Sequence, residues 1–164
     1  MFAIYNYGGV YFDTDMYLLK NIFPLLEGNV CVVCREDSDN LNAAMFASTP
    51  HNIYVKDLLI AYDNAKEREI IPKLMTRVYL SDREKYQDLK ILDSIYFYPF
   101  TIETIKRFNY KNAPQESYGV HLWDYSWGHP LNKFIKKIGL HKPLKSFAEK
   151  LRIKKIIKKI LGME

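Results

Sequence analysis

The chain has 164 residues, enough for one domain with a core of its own, and its 48% hydrophobic content excludes a disordered protein. The net charge of +5 is segregated: residues 1–132 hold 13 basic and 17 acidic side chains, and residues 133–164 hold 11 and 2. A mildly acidic body therefore carries a strongly basic tail.

Met1–Tyr7 predicts the end of an apolar helix, broken at Gly8-Gly9 because glycine permits the positive φ of a helix stop. Val10–Phe12 predicts a short buried strand running into Asp13-Thr14-Asp15. Met16–Leu26 predicts a turn and a short helix, and Val30–Val33 a second strand. Cys31 and Cys34 form a lone C-x-x-C pair. Three apart on a strand, they face opposite sides, which marks them as reduced core residues rather than a redox or zinc pair.

Leu41–Ala47 predicts a third strand, entered through Asp37-Ser38-Asp39-Asn40. Asn52–Glu69 has helical spacing, and Pro72 suits the first turn of a helix through Tyr79. Ile91–Phe97 predicts a strand stopped by Pro99, Tyr118–Trp123 another, and Lys133–Ile138 and Leu144–Leu161 helices. The alternation predicts an α/β domain. A doubly wound sheet normally has strands before its ligand-binding switch point, yet here the acidic strand end comes almost at once. The expectation is a partial Rossmann-like domain over 1–132 that lacks its first strands, followed by a basic amphipathic helical tail over 133–164.

Asp13 and Asp15 follow three apolar residues. At i and i+2 on a strand they leave on one face, roughly 6–7 Å apart, so both reach one hard cation. Carboxylate oxygens suit Mg²⁺ or Mn²⁺, which also relieves the repulsion between two desolvated acids. The competing reading is a solvated turn.

The string Tyr5-x-Tyr7-Gly8-Gly9-Val10-Tyr11-Phe12-Asp13-Thr14-Asp15, with Leu18-Leu19-Lys20 after it, resembles the hallmark of glycosyltransferase family 32, the group with a DXD-containing sugar-binding region. Asp39-Asn40-Leu41-Asn42-Ala43 resembles the family's Asn-containing segment. Ile71-Pro72-Lys73-Leu74-Met75-Thr76 resembles its G-P-x-x-x-T helix start, with Ile71 in place of the glycine. Ile95–Phe100 resembles its Y-F-Y-P strand, and Val120–Trp127 its H-x-W-x-x-S-W. The resemblance covers about residues 1–130.

It implies a GT-A fold and a metal-dependent, retaining transfer of sugar from a nucleotide-sugar donor. Asp13 and Asp15 are then the catalytic pair and, with His121, the ligands of Mn²⁺ or Mg²⁺. Tyr11, Trp123 and Trp127 are candidates to hold the donor complex, and Asp39, Asn40 and Asn42 to hold substrate hydroxyls. His121 is open to a second reading as a core histidine, the tryptophans as core packing, and the Asp and Asn residues as turn caps. Family members carry further residues before this point, with the first strands and the nucleotide-base pocket. An inactive remnant or subunit of such an enzyme is therefore the alternative. A haloacid-dehalogenase-type phosphatase is disfavoured, because Tyr17 stands where that motif has Thr or Val.

In the tail, Leu144, Phe147, Ala148 and Leu151 form one apolar stripe, and Ile153, Ile156, Ile157, Ile160 and Leu161 a second, with Lys154, Lys155, Lys158 and Lys159 beside it. The stripes are out of phase by about 200° at 100° per residue. This pattern predicts an in-plane helix on an anionic membrane surface through residues 143–161, each lysine contributing roughly 1 kcal/mol; a solvated helix face is the alternative. Lysines alternating with isoleucine rather than aromatics argue against nucleic acid. The start lacks a basic signal-peptide region, and no apolar run of about 20 residues is present. The expected place is the cytoplasm, peripheral on the inner face of a bacterial plasma membrane. The family resemblance implies a surface polysaccharide, such as capsule or lipopolysaccharide, or a glycolipid as acceptor.

Overall fold

The computed structural model describes residues 1–65 and 69–124. Its first break is sequence-encoded. Helix α1 (Phe2–Tyr7) ends at Gly8, whose φ of 69° and closeness to Pro50 leave no room for a side chain. Strands β1 (Gly9–Phe12) and β2 (Met16–Leu18) follow, then α2 (Phe23–Leu26), β3 (Cys31–Arg35) and β4 (Leu41–Ser48). Helices α3 (Ile53–Asp63) and α4 (Ile71–Ser81) lead to β5 (Leu89–Leu92) and β6 (Gly119–His121). The Asn52 side chain caps α3 by accepting the Tyr54 N–H at 2.9 Å, and Pro72 sits in the first turn of α4.

The main sheet has the order β1-β4-β3-β5, and β2 pairs with β6 in a separate ribbon. β4 runs antiparallel to both β1 and β3, and β5 runs parallel to β3. Strands β1, β3 and β5 therefore point the same way and end at one edge. In α/β sheets that carboxyl edge is where ligands bind.

β3 is buried on both faces, which explains its unbroken apolar run. Cys31 and Val33 face α3 and α4, against Tyr54, Val55, Leu58, Leu74 and Met75. Val32 and Cys34 face the other way, against Met45, Leu92, Phe97 and Tyr98. Both thiols are free and buried on opposite faces, in line with their spacing.

Four expectations are corrected. β1 forms but is not buried: it is an edge strand with β4 as its one partner in the sheet, and Val10 and Tyr11 are exposed. Met16–Leu18 is a strand rather than a turn, because β6 pairs with it from over 100 residues later. The strand from Ile91 stops at Leu92, because the Asp93 carboxylate accepts the Ile95 N–H at 3.2 Å and starts a 3-10 turn over Ser94–Tyr96. The last strand ends at His121, before Trp123. Among the described residues no helix is long and apolar enough to cross a membrane. Trp127, the helices expected at 133–138 and 144–161, and the membrane-facing stretch 143–161 lie outside the described residues.

Candidate functional site

The site begins where β1 ends. The Asp13 N–H donates to the Ala44 carbonyl at 3.0 Å, and the Asp13 carbonyl accepts the Met16 N–H at 3.0 Å, closing a turn. Asp13 and Asp15 therefore converge by way of a turn, not by sharing one face of a strand as their spacing alone implies. The chain leaves the turn as β2, whose partner β6 sets Met16 opposite His121; the Leu122 N–H then donates to the Asp15 carbonyl at 2.9 Å.

This pairing delivers the imidazole to the carboxylates. His121 Nε2 lies 3.3 Å from Asp15 Oδ1 and 3.7 Å from Asp13 Oδ2. One ligand atom from each of Asp13, Asp15 and His121 falls within 4.8 Å of the others. His121 is buried, and its Nδ1 has no hydrogen-bond partner among the described residues. A buried polar atom left unpaired costs about 1–3 kcal/mol. Two carboxylates and one imidazole are a donor set that fits Mn²⁺ or Mg²⁺.

The surroundings hold these groups in place. The Tyr11 hydroxyl donates to Asp13 Oδ1 at 2.7 Å. The hydrogen bond from His121, with that from Tyr11, holds the Asp13 carboxyl below the usual range. The same carboxylate pushes the Tyr11 hydroxyl up to about 12. The Trp123 ring stands edge-on to His121 at 4.5 Å, and its Nε1–H donates to the Phe100 carbonyl at 3.0 Å. Trp123 has a φ of 57°, a costly conformation for a bulky side chain; such strain gathers at functional sites.

Between the pairs Val33↔Phe46 and Cys34↔Asn42, the residues Ala43, Ala44 and Met45 of β4 have no partner on β3. This wide bulge turns the Ala44 carbonyl toward Asp13. Its other supports are the Tyr98 hydroxyl, which accepts the Ala44 N–H at 3.2 Å, and the Asn42 Oδ1, which accepts the N–H groups of Ala43 and Ala44. Burial pushes the Tyr98 hydroxyl well up, and its ring packs 5.5 Å from His121.

Of the sequence-selected residues, the structure brings together Tyr11, Asp13, Asp15, His121 and Trp123. Asn42 lies at the bulge beside them. The Asp39 and Asn40 N–H groups both donate to Asp37 Oδ1 at 2.8 Å, and the Asn40 amide bonds the same carboxylate. Sequence reasoning passed over Tyr98 and gave Glu36 no place in this site. Glu36 follows an apolar strand, as Asp13 does, and that shared signal was readable.

Residues 51–147 match the family described as the alpha 1,4-glycosyltransferase conserved region. Residues 1–32, which hold Asp13 and Asp15, match the glycosyltransferase sugar-binding region containing the DXD motif. A human alpha-1,4-N-acetylglucosaminyltransferase is 26% identical over 140 residues, covering 74% of this chain and 40% of that relative. The chain thus spans less than half the length of the curated relative it matches. No solved structure matches it significantly. With more than half of its length inside the first of these matches, the chain belongs to the alpha-1,4-glycosyltransferase family.

Proposed function

We propose that this chain forms the metal-binding and acceptor-side part of a glycosyltransferase, which moves a sugar from a nucleotide-sugar donor to a glycan acceptor. The observation that carries the reading is the convergence within 4.8 Å of Asp13 and Asp15, inside the stretch that matches the DXD region, with His121, inside the alpha 1,4-glycosyltransferase match. Bound there, Mn²⁺ or Mg²⁺ would supply neutralising charge for a diphosphate leaving group. The protein's own residues do the rest. Tyr11 orients Asp13, and the β2–β6 pairing holds His121 at Asp15. Trp123 walls one side of the imidazole and keeps water from it.

Transfer is with retention. The human relative's name specifies an α linkage, the outcome that retention gives from a donor whose sugar is itself α-linked. The acceptor is a surface polysaccharide or a glycolipid. Residues 143–161, with their lysines beside isoleucine stripes, hold the enzyme on the inner face of the membrane where such acceptors are built.

The test is release of UDP from UDP-N-acetylglucosamine and other UDP-hexoses by the whole chain. Release that needs Mn²⁺ and is lost in Asp15→Asn supports the proposal. Equal release in metal-free buffer contradicts it.

A further inference from the structure

One carboxylate at the same sheet edge has no part in the reading above. Glu36 follows β3 directly, as Asp13 follows β1, and the two strands run the same way. Its side chain is half-buried. Glu36 Oε2 accepts the Asn42 Nδ2–H at 2.5 Å, and its backbone N–H donates to the Asn40 carbonyl at 2.9 Å.

Asn42 is 9% exposed and cannot turn. Its Oδ1 already accepts two backbone N–H groups, from Ala43 at 2.6 Å and Ala44 at 3.2 Å, so its amide nitrogen must point at Glu36. The bulge that fixes Asn42 is the one that fixes Asp13, through the Ala44 carbonyl. Tyr98 joins the two sides: it receives the Ala44 N–H and packs on His121.

Two roles suit a carboxylate so placed: cation ligand or hydroxyl acceptor. The grouping of ligand atoms within 4.8 Å takes in Asp13, Asp15 and His121 and leaves Glu36 out among the described residues. Among those residues no hydrogen bond reaches its Oε1 either. One oxygen is thus fixed by Asn42, while the other has no hydrogen-bond partner among the described residues. Carboxylates bind hydroxyls through short, charge-assisted hydrogen bonds, stronger than neutral ones.

We propose that Glu36, oriented by Asn42, accepts hydroxyl hydrogen bonds from the sugar of the donor and so sets which sugar the site holds. This inference rests on the glycosyl-transfer reading. It adds a residue that discriminates between sugars without touching the cation.

The experiment measures three affinities in the whole chain: Mn²⁺ alone, UDP with Mn²⁺, and a panel of UDP-hexoses and UDP-N-acetylhexosamines with Mn²⁺. Wild type is compared with Glu36→Gln and with Glu36→Asp, and melting curves establish that each variant is folded. The expected result is Mn²⁺ and UDP affinities within about twofold of wild type. The gain from the preferred sugar should fall roughly tenfold to a hundredfold, as loss of a charged hydrogen bond predicts. An unchanged gain in a folded variant overturns the role of Glu36. Weakened Mn²⁺ binding in the variants makes it a ligand instead and overturns the proposal too. If wild type binds Mn²⁺ and UDP but no sugar adds affinity, Glu36 alone loses its role. If wild type binds neither, the glycosyl-transfer reading fails and takes this inference with it.

Discussion

Gly119 is the point where a single methyl group should disturb the site without touching a functional side chain. It lies in β6, two residues before His121, and is paired with Leu18. A Cβ built there would stand 2.9 Å from Phe97 Cδ1, 3.1 Å from the Tyr17 carbonyl oxygen and 3.2 Å from Met16 Sδ. Phe97 is fully buried and has nowhere to go, and the Tyr17 oxygen is backbone. Only Met16 can yield. Overpacking of this kind costs about 1–3 kcal/mol. Against it, replacing glycine stiffens the unfolded chain and returns about 0.4–1 kcal/mol. The net for Gly119→Ala is a loss of about 1–2 kcal/mol, or roughly 2–8 °C in Tm for a chain of this size.

The strain should also move β6 against β2, and with it His121 against Asp15, so Mn²⁺ affinity should fall with stability. Gly28→Ala is the control. Gly28 has a φ of 73° and open space around its Cβ direction, so alanine there costs roughly 1–2 kcal/mol through backbone strain alone. Thermal unfolding by circular dichroism and Mn²⁺ titration of both variants separate the effects. Gly28→Ala should melt lower with unchanged Mn²⁺ affinity, and Gly119→Ala should lose both. Unchanged melting and unchanged Mn²⁺ affinity in Gly119→Ala would refute the packing argument.

Burial pushes the Asp57 carboxyl up, but the Lys85 ammonium at 2.6 Å and the Tyr86 hydroxyl at 2.6 Å bring it below the usual range. A carboxyl lowered by folding stabilises above its unfolded pKa of about 3.9, and that stability is lost as pH falls through the folded value. Asp57→Asn should therefore cost about 1 kcal/mol at pH 7 and nothing in strong acid; a pH-independent difference in urea unfolding would count against it. Burial pushes both the Cys31 and Cys34 thiols up to about 12, so neither should react with a thiol reagent at pH 8 until the chain unfolds. Rapid labelling of the native protein would contradict the buried placement. Deleting residues 143–164 should release the protein from anionic vesicles in a flotation assay, and retained binding would exclude the tail as anchor.

Where the sequence was legible, one local cause sufficed. Period-two spacing put Cys31 and Cys34 on opposite faces, and Pro72 marked the start of α4. The apolar run before Asp13 flagged the acidic strand end. What escaped depends on distant partners. No local pattern tells Met16–Leu18 that β6 will pair with it from Gly119–His121, so a strand looked like a turn. Nothing in Val10–Phe12 shows that its strand will lie at a sheet edge and stay exposed. The β4 bulge is equally silent in Asn42–Phe46, yet it aims both Asp13 and Asn42. In Asp37-Ser38-Asp39-Asn40 the polar entry to β4 was legible, but no local signal shows that Asp37 organises it.

Glycosyl transfer as proposed requires a cation bound jointly by Asp13, Asp15 and His121. Isothermal titration of Mn²⁺ into the whole folded chain, side by side with folded Asp15→Asn, measures this directly. Saturable uptake at one ion per chain, abolished by the substitution and strengthening later addition of UDP, is the predicted result. No uptake by the unsubstituted chain, or equal uptake by both, would contradict it.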